Sequence, residues 1–465
     1  MSIKLIRNAH IATSAEVFHG SVLIDGEKIV QLFRTGEVLP LLPVNAEIFE
    51  AQGKYLLPGG VDPHTRLGQS AGAAHSPEDF YTGSVAAACG GTTTIIQQLA
   101  FGPAGVPLSF QLSVAKKPAR AAVIDYGFHA ALQRVDDDVL RDMETLRDRE
   151  GITSLGATLA GPQRLNDADL LQALVRAQQL GLTLCLHCEN EAATALLARQ
   201  LAQAGHTDTR YFARSRPPQA EAEAVFRALM LAKMAGEARL YVQTLSSALG
   251  LNALHLARST GQRNIFAETT PPYLFLDAVL YNNPADGPKY LAAPPLRTEA
   301  DRDALWSGLA AADIDTVASG HLAFRFATQK QQGGSFAHIP PGMPSAELRL
   351  PLMFSEGFMK GWLSLPQLVR ACCTRPAQIF GIAPQKGDIA PGADADLVLF
   401  DPAVSWTVAQ SQLHENVDYT PYEGMRLTGW PMLTFSRGEV IAAGRQFIGA
   451  AGRGRTLKRT AAPGA

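Results

Sequence analysis

Strand and helix signals alternate along most of this 465-residue chain. The alternation runs from about residue 56 to residue 385. Apolar, β-branched runs such as "TTTIIQQLAF" read as buried strands. Each is followed by a helical stretch with its own start and stop. "SPEDFYTGSVAAACGG" offers Ser76 as N-cap, Pro77 at the first helical position, Asp79 in the first turn and Gly90-Gly91 as the end. "NDADLLQALVRAQQLG" offers Asn166 as cap and Gly181 as terminator. "LTLCLHCEN", "RLYVQTLSS", "NIFAETTP" and "DTVASGH" read as further strands. Strands separated by helices run parallel with the helices outside, and a sheet that repeats this way is expected to close into a barrel.

The ends of the chain follow a different grammar. "GSVLIDGEKIVQLF" places Asp25-Gly26 between two alternating runs, which signals a hairpin. Strand patterns return after Lys386 in "ADADLVLFDP", "SWTV" and "GWPMLTFSRGEVIAAG". Segments 1–55 and 386–448 are therefore expected to form one β-domain, a sandwich beside a barrel of residues 56–385. Segment 449–465, "AAGRGRTLKRTAAPGA" with its preceding glycine, is small, basic and glycine-rich. It is expected to be disordered, or an arm on a neighbouring subunit.

Composition removes several function classes. The formal net charge is -2, with no basic excess to attract nucleic acid. No apolar run is long enough to span a bilayer, and the first residues lack the apolar block of a signal peptide. Five cysteines, Cys89, Cys185, Cys188, Cys372 and Cys373, give no disulfide framework, so a reducing cytoplasm is expected.

The stretch "PGGVDPHTRLGQ" has the look of a strand entering a metal site. His64 stands where a His-x-His pair would begin. Two positions on, the same strand face carries Arg66, whose guanidinium stays protonated and has no lone pair to give a metal. Arg66 either anchors an anion or pairs with Asp62, and the pairing with Asp62 is favoured. "CLHC" also looks metal-like. On a strand, however, Cys185 and His187 face one way and Cys188 the other, so buried packing is expected.

Long motifs place these residues in a family. "LLPGGVDPHT", "DFYTGSVAAACGGTTTII", "HCEN", "SRPPQAEAEAV", "KYLAAPPLR", "IPPGMP", "RPAQIFGI" and "VDYTPYEGMRLTGWP" resemble the dihydropyrimidinase/hydantoinase branch of the amidohydrolase superfamily. The resemblance runs to about residue 445. It implies a TIM-like (β/α)8 barrel with a flanking β-sandwich from both termini, a homo-oligomer (dimer or tetramer), and hydrolysis of a cyclic amide with two zinc ions. Matched position by position, the family's zinc ligands fall on His64, Arg66, Gly156, His187, Thr244 and Gly320. Only His64 and His187 are ligand-type residues. Gly156 stands where the family has a carboxylated lysine, and no lysine occurs between Lys117 and Lys233 to replace it. Gly320 stands where the family has a catalytic aspartate, before a retained His321. The family's substrate contacts fall on Gly161, Ala293 and Pro341.

These losses touch ligands, base and substrate groups together. No zinc is expected, and any metal retained would be held by His64 and His187. Each histidine is more simply read as a buried residue with a hydrogen-bond partner. Two functions stay open. One is a non-catalytic scaffold or partner of an active paralogue, forming a hetero-oligomer. The other is a divergent hydrolase of cyclic amides with a reduced metal site or none.

Overall fold

A computed structural model describes residues 3–103 and 105–462. Eight parallel strands form one sheet in chain order: Gly60–Thr65, Thr92–Gln98, Asp125–Ala131, Ser154–Thr158, Thr183–His187, Leu240–Gln243, Ile265–Thr269 and Thr316–Val317. The eighth strand returns to the first. Thr65 bridges His321 in parallel, and the Arg66 N–H donates to the His321 carbonyl at 2.9 Å. The expected barrel is thereby closed. Most of these strands are buried along their whole length, as parallel strands between helices and a filled interior must be.

The helices obey their caps, with one shift. Asn166 accepts from the Asp169 N–H, and Gly181 ends that helix at φ 65°. Helix Phe80–Cys89 begins later than the sequence suggests. Asp79, not Ser76, is its N-cap, in a reciprocal pair with Thr82. Asp79 and Thr82 stand three apart, the spacing a capping box needs.

Strands from both ends build a second, nine-stranded sheet. Strand Tyr55–Pro58 sits between Ile3–Ala12 and Leu397–Thr407, so N-terminal and C-terminal strands share one hydrogen-bond ladder. The hairpin at Asp25-Gly26 is present, with Gly26 at φ 58°. This sheet has its own core, including Ile6, Val22, Ile29, Leu56, Leu399 and Phe435.

The tail corrects an expectation. Residues 449–462 have a defined course instead of the expected disorder. They lie along their own barrel. The Leu457 N–H donates to the Tyr126 carbonyl at 2.7 Å, and the Thr460 N–H to that of Gly381 at 2.9 Å. Arg459 is 5% exposed, its guanidinium on Ser154 Oγ at 2.7 Å and on the Phe128 carbonyl. Gly151, Gly181 and Gly381 all hold left-handed backbone where the tail passes, and a Cβ on any of them would collide with it. Residues 463–465 lie outside the described residues.

Candidate functional site at the barrel mouth

The residues singled out in the sequence gather at the carboxyl ends of the barrel strands, where sites on this fold lie. His64 is 2% exposed. Its Nδ1 donates to Glu268 Oε1 at 2.5 Å, and its Nε2 accepts from Arg66 Nε at 3.2 Å. These two contacts fix the tautomer: the proton sits on Nδ1 and the Nε2 lone pair is taken. Arg66 therefore pairs with His64 and not with Asp62. Asp62 Oδ1 is committed to the backbone N–H groups of Ser319 (2.9 Å) and His64 (3.2 Å).

Glu268 is the organising residue, and sequence reading missed it. It is fully buried at the end of the seventh strand. Oε1 also accepts from the Thr244 N–H at 3.2 Å, and Oε2 accepts from the Tyr241 hydroxyl at 2.8 Å. Burial and the Glu268 charge push the Tyr241 phenol well above its ordinary range, so it stays a donor. The signal was one acid in the otherwise apolar "NIFAETTP".

His187 does not meet His64. Its Nε2 lies 2.9 Å from Glu189 Oε2, which also pairs with Arg216. Burial works to raise the Glu189 carboxyl, but Arg216 and His187 outweigh it and hold it at about 2. Cys185 lies inside the barrel with Tyr241 and Phe266, and all five cysteines are buried and unpaired. His321 is engaged by other groups. Its Nδ1 accepts from the Ser345 and Ala346 N–H groups (3.1 and 3.2 Å), leaving Nε2 to donate to Glu78.

Of the remaining positions, Gly156 and Gly320 face occupied space and Gly161 faces open space. The space beside Gly156 belongs to the Gln98 amide, another residue missed in the sequence; a Cβ at 156 would collide with it. Gly156→Ala is therefore expected to cost about 1–3 kcal/mol, the usual range for overpacking. Denaturant unfolding checks this, and adding Gln98→Ala should recover most of the loss. Gly320 adopts φ 60°, and a Cβ there would meet Thr270 Cγ2 at 2.9 Å. Gly161 donates its N–H to Glu191 Oε2 at 2.7 Å. Ala293 and Pro341 sit on two loops tied together by buried Lys330. Its ammonium donates to the carbonyls of Leu291, Pro340 and Gly342 at 3.1, 3.0 and 2.7 Å.

The donors present do not fit a pair of zinc ions. Arg66, Gly156 and Gly320 offer no lone pair, and Thr244 offers a neutral hydroxyl. The Nε2 of His64 is already bonded. Among the described residues, no group of three or more His, Cys, Asp or Glu side chains is placed to hold a metal ion.

Fold and site together define a barrel of the amidohydrolase type. The model of the amidohydrolase family matches residues 55–441. A D-phenylhydantoinase of Escherichia coli O1:K1 is 42% identical over 457 residues, 98% of each chain. The crystal structure of dihydropyrimidinase from Brevibacillus agri NCHU1002 superposes with a TM-score of 0.95 at 41% identity, over 99% of both chains. An L-hydantoinase (dihydropyrimidinase) from Arthrobacter aurescens gives 0.88 at 29% identity, over 99% of this chain and 100% of that one. The chain belongs to the amidohydrolase family, in its dihydropyrimidinase/hydantoinase branch.

Proposed function

We propose that this hydantoinase-like protein has left zinc-dependent hydrolysis and serves as a scaffold, or as the partner of an active paralogue, in a cytoplasmic oligomer. One observation carries the reading. The Arg66 Nε–H donates to His64 Nε2, so the imidazole lone pair that would bind a metal is used inside the protein. Ring opening of a cyclic amide at neutral pH needs an activated water, and a zinc pair supplies it by lowering the water's pKa. Here a fixed cation stands at that position and repels a divalent ion. No helix among the described residues is long and apolar enough to cross a membrane, which agrees with this setting.

The test is zinc per subunit by plasma mass spectrometry, on protein expressed with zinc and bicarbonate. The expected result is below about a tenth of an equivalent, as for a site lacking the usual three protein ligands. One firmly held equivalent would overturn the reading.

The second reading, a divergent hydrolase, is supported by the 42% identity with D-phenylhydantoinases over 98% of the chain. Under it, purified protein would turn over dihydrouracil or a 5-substituted hydantoin, and a His64→Ala variant would not. Turnover equal to that of buffer would remove it.

A further inference from the structure

We propose that the C-terminal tail is a latch on the barrel. With Arg459 seated in the floor, a hydrogen-bond relay through Ser154 and His129 fixes the first strand at Pro63. Release of the tail loosens the seam between the first and eighth strands.

The relay is buried along its length, and chemistry fixes its direction. Arg459 can only donate, so Ser154 Oγ accepts from its guanidinium at 2.7 Å. The Ser154 hydroxyl gives its own proton to His129 Nδ1 at 2.6 Å. His129 Nε2 lies 2.8 Å from the Pro63 carbonyl, which can only accept, so the ring proton sits on Nε2. Burial, and after it the Arg459 charge, hold His129 well below its ordinary value, which keeps the ring neutral in this tautomer. The Phe380 ring meets the imidazole in a T at 5.1 Å. Pro63 stands between His64 and Asp62, and the Asp62 carboxylate holds the Ser319 N–H across the seam. Further along the same segment, the Arg66 N–H donates to the His321 carbonyl and closes the barrel. Contacts on the page thus run unbroken from the tail to the closing strand.

Arg459 is more than filler. No carboxylate pairs with it among the described residues, its Nε has no partner, and burial lowers its guanidinium to about 10. An unpaired buried charge is costly, and an apolar side chain of similar size fills such space at less cost. What the guanidinium supplies is donors, to Ser154 and to the Phe128 carbonyl. On either side the tail is held through its backbone, from the Arg459 N–H to Gly151 at 3.0 Å and from the Thr460 N–H to Gly381 at 2.9 Å. Chain ends held in this way open as a unit at less cost than the core.

The experiment is hydrogen exchange on full-length protein, read at the Arg66 amide, with tryptic cleavage at Arg453, Arg455 and Lys458 reporting on the tail. The Ala267 amide is the reference, since it donates to Asp315 Oδ2 at 3.1 Å on the seventh strand, away from the relay. Ser154→Ala removes the middle of the relay and leaves Arg459 its Phe128 carbonyl. It is expected to speed exchange at Arg66 about tenfold, the worth of one hydrogen bond, with Ala267 unchanged and the tail still protected. Arg459→Met is expected to give the same rise at Arg66 and also to expose the tail to trypsin. Circular dichroism melting checks that both variants fold, and Ser154→Ala carries the test if Arg459→Met does not. Arg66 unchanged in both variants would make the tail a plain cover. Arg66 and Ala267 rising together would reduce the effect to general loosening. A rise in Arg459→Met without one in Ser154→Ala would remove the relay. Each of these three results overturns the proposal.

Discussion

Replacing Lys386 by Met is expected to lower the unfolding free energy by about 3–5 kcal/mol, the cost of leaving buried charge without its partner. The Lys386 ammonium is 1% exposed and touches Asp125 at 2.7 Å, Asp394 at 2.9 Å and Asp396 at 2.8 Å. Arg437 adds a second cation on Asp125 and donates its backbone N–H to Asp396 Oδ1 at 2.7 Å. These residues join the third barrel strand to the terminal sheet, and the Arg455 N–H brings the tail to Asp125 at 2.9 Å. With Met in place, the three nearly enclosed carboxylates keep neutral donors but pair with just two cations, Arg437 and the partly exposed Lys28. Guanidinium unfolding followed by circular dichroism measures the change. A loss under about 1 kcal/mol would mean that the cluster tolerates the missing charge, as a surface pair does.

The same cluster sets an acid response. Burial works to raise the Asp125 and Asp394 carboxyls, but Lys386, with Arg437 on Asp125 and Lys28 on Asp394, holds both below the ordinary value of 3.8. A depressed carboxyl gives stability that is present above 3.8 and is lost as pH falls through the lower folded value. The wild type should therefore lose stability below about pH 4. Lys386→Met should show a weaker acid dependence, because Asp125 and Asp394 have lost the Lys386 charge that depressed them and so have less stability to lose.

Replacing Glu268 by Ala is expected to cost about 2–4 kcal/mol and to loosen the barrel mouth. The change strips acceptors from His64 Nδ1, the Thr244 N–H and the Tyr241 hydroxyl at once. Tyr241 keeps Thr316 Oγ1 at 2.6 Å, but the other two donors are left buried and unbonded. The charge facing Arg66 also disappears. Glu268→Gln keeps an oxygen for His64 and Thr244, and its amide can donate to the Tyr241 oxygen. It should retain more than half of the lost stability. Equal losses for the two variants would assign the effect to charge alone. Hydrogen exchange at Thr244 is the local readout, since its N–H donates to the replaced oxygen.

The alternation of strands and helices, the caps at Asn166 and Gly181 and the hairpin at Asp25-Gly26 were all legible in the sequence. Each rests on spacing within a few residues, which propensity and local hydrogen bonding govern. That His64 and His187 can ligate a metal, and that Arg66, Gly156 and Gly320 cannot, was legible for a second reason. These are residue identities, and identity needs no geometry.

What those residues touch was not legible. Glu268 is 204 positions from His64, and Lys386 is 261 from Asp125. Only barrel closure brings such pairs within hydrogen-bond reach. The expected Arg66–Asp62 pair is not formed: Arg66 Nε turns to His64, while Asp62 Oδ1 accepts from the Ser319 backbone N–H across the closing seam. The tail misled for a similar reason. Its composition reads as disorder, yet distant glycines at 151, 181 and 381 open the groove that holds it. The sequence by itself determined the family and the barrel, because these follow from local pattern and residue identity. The tertiary structure alone decided that Arg66 spends the lone pair of His64, that Glu268 ties His64 to Thr244 and Tyr241, that the Gln98 amide lies beside Gly156 and that the tail is ordered. Buried charges and polar groups take whichever partner the fold brings close, and that choice is not written within any one segment.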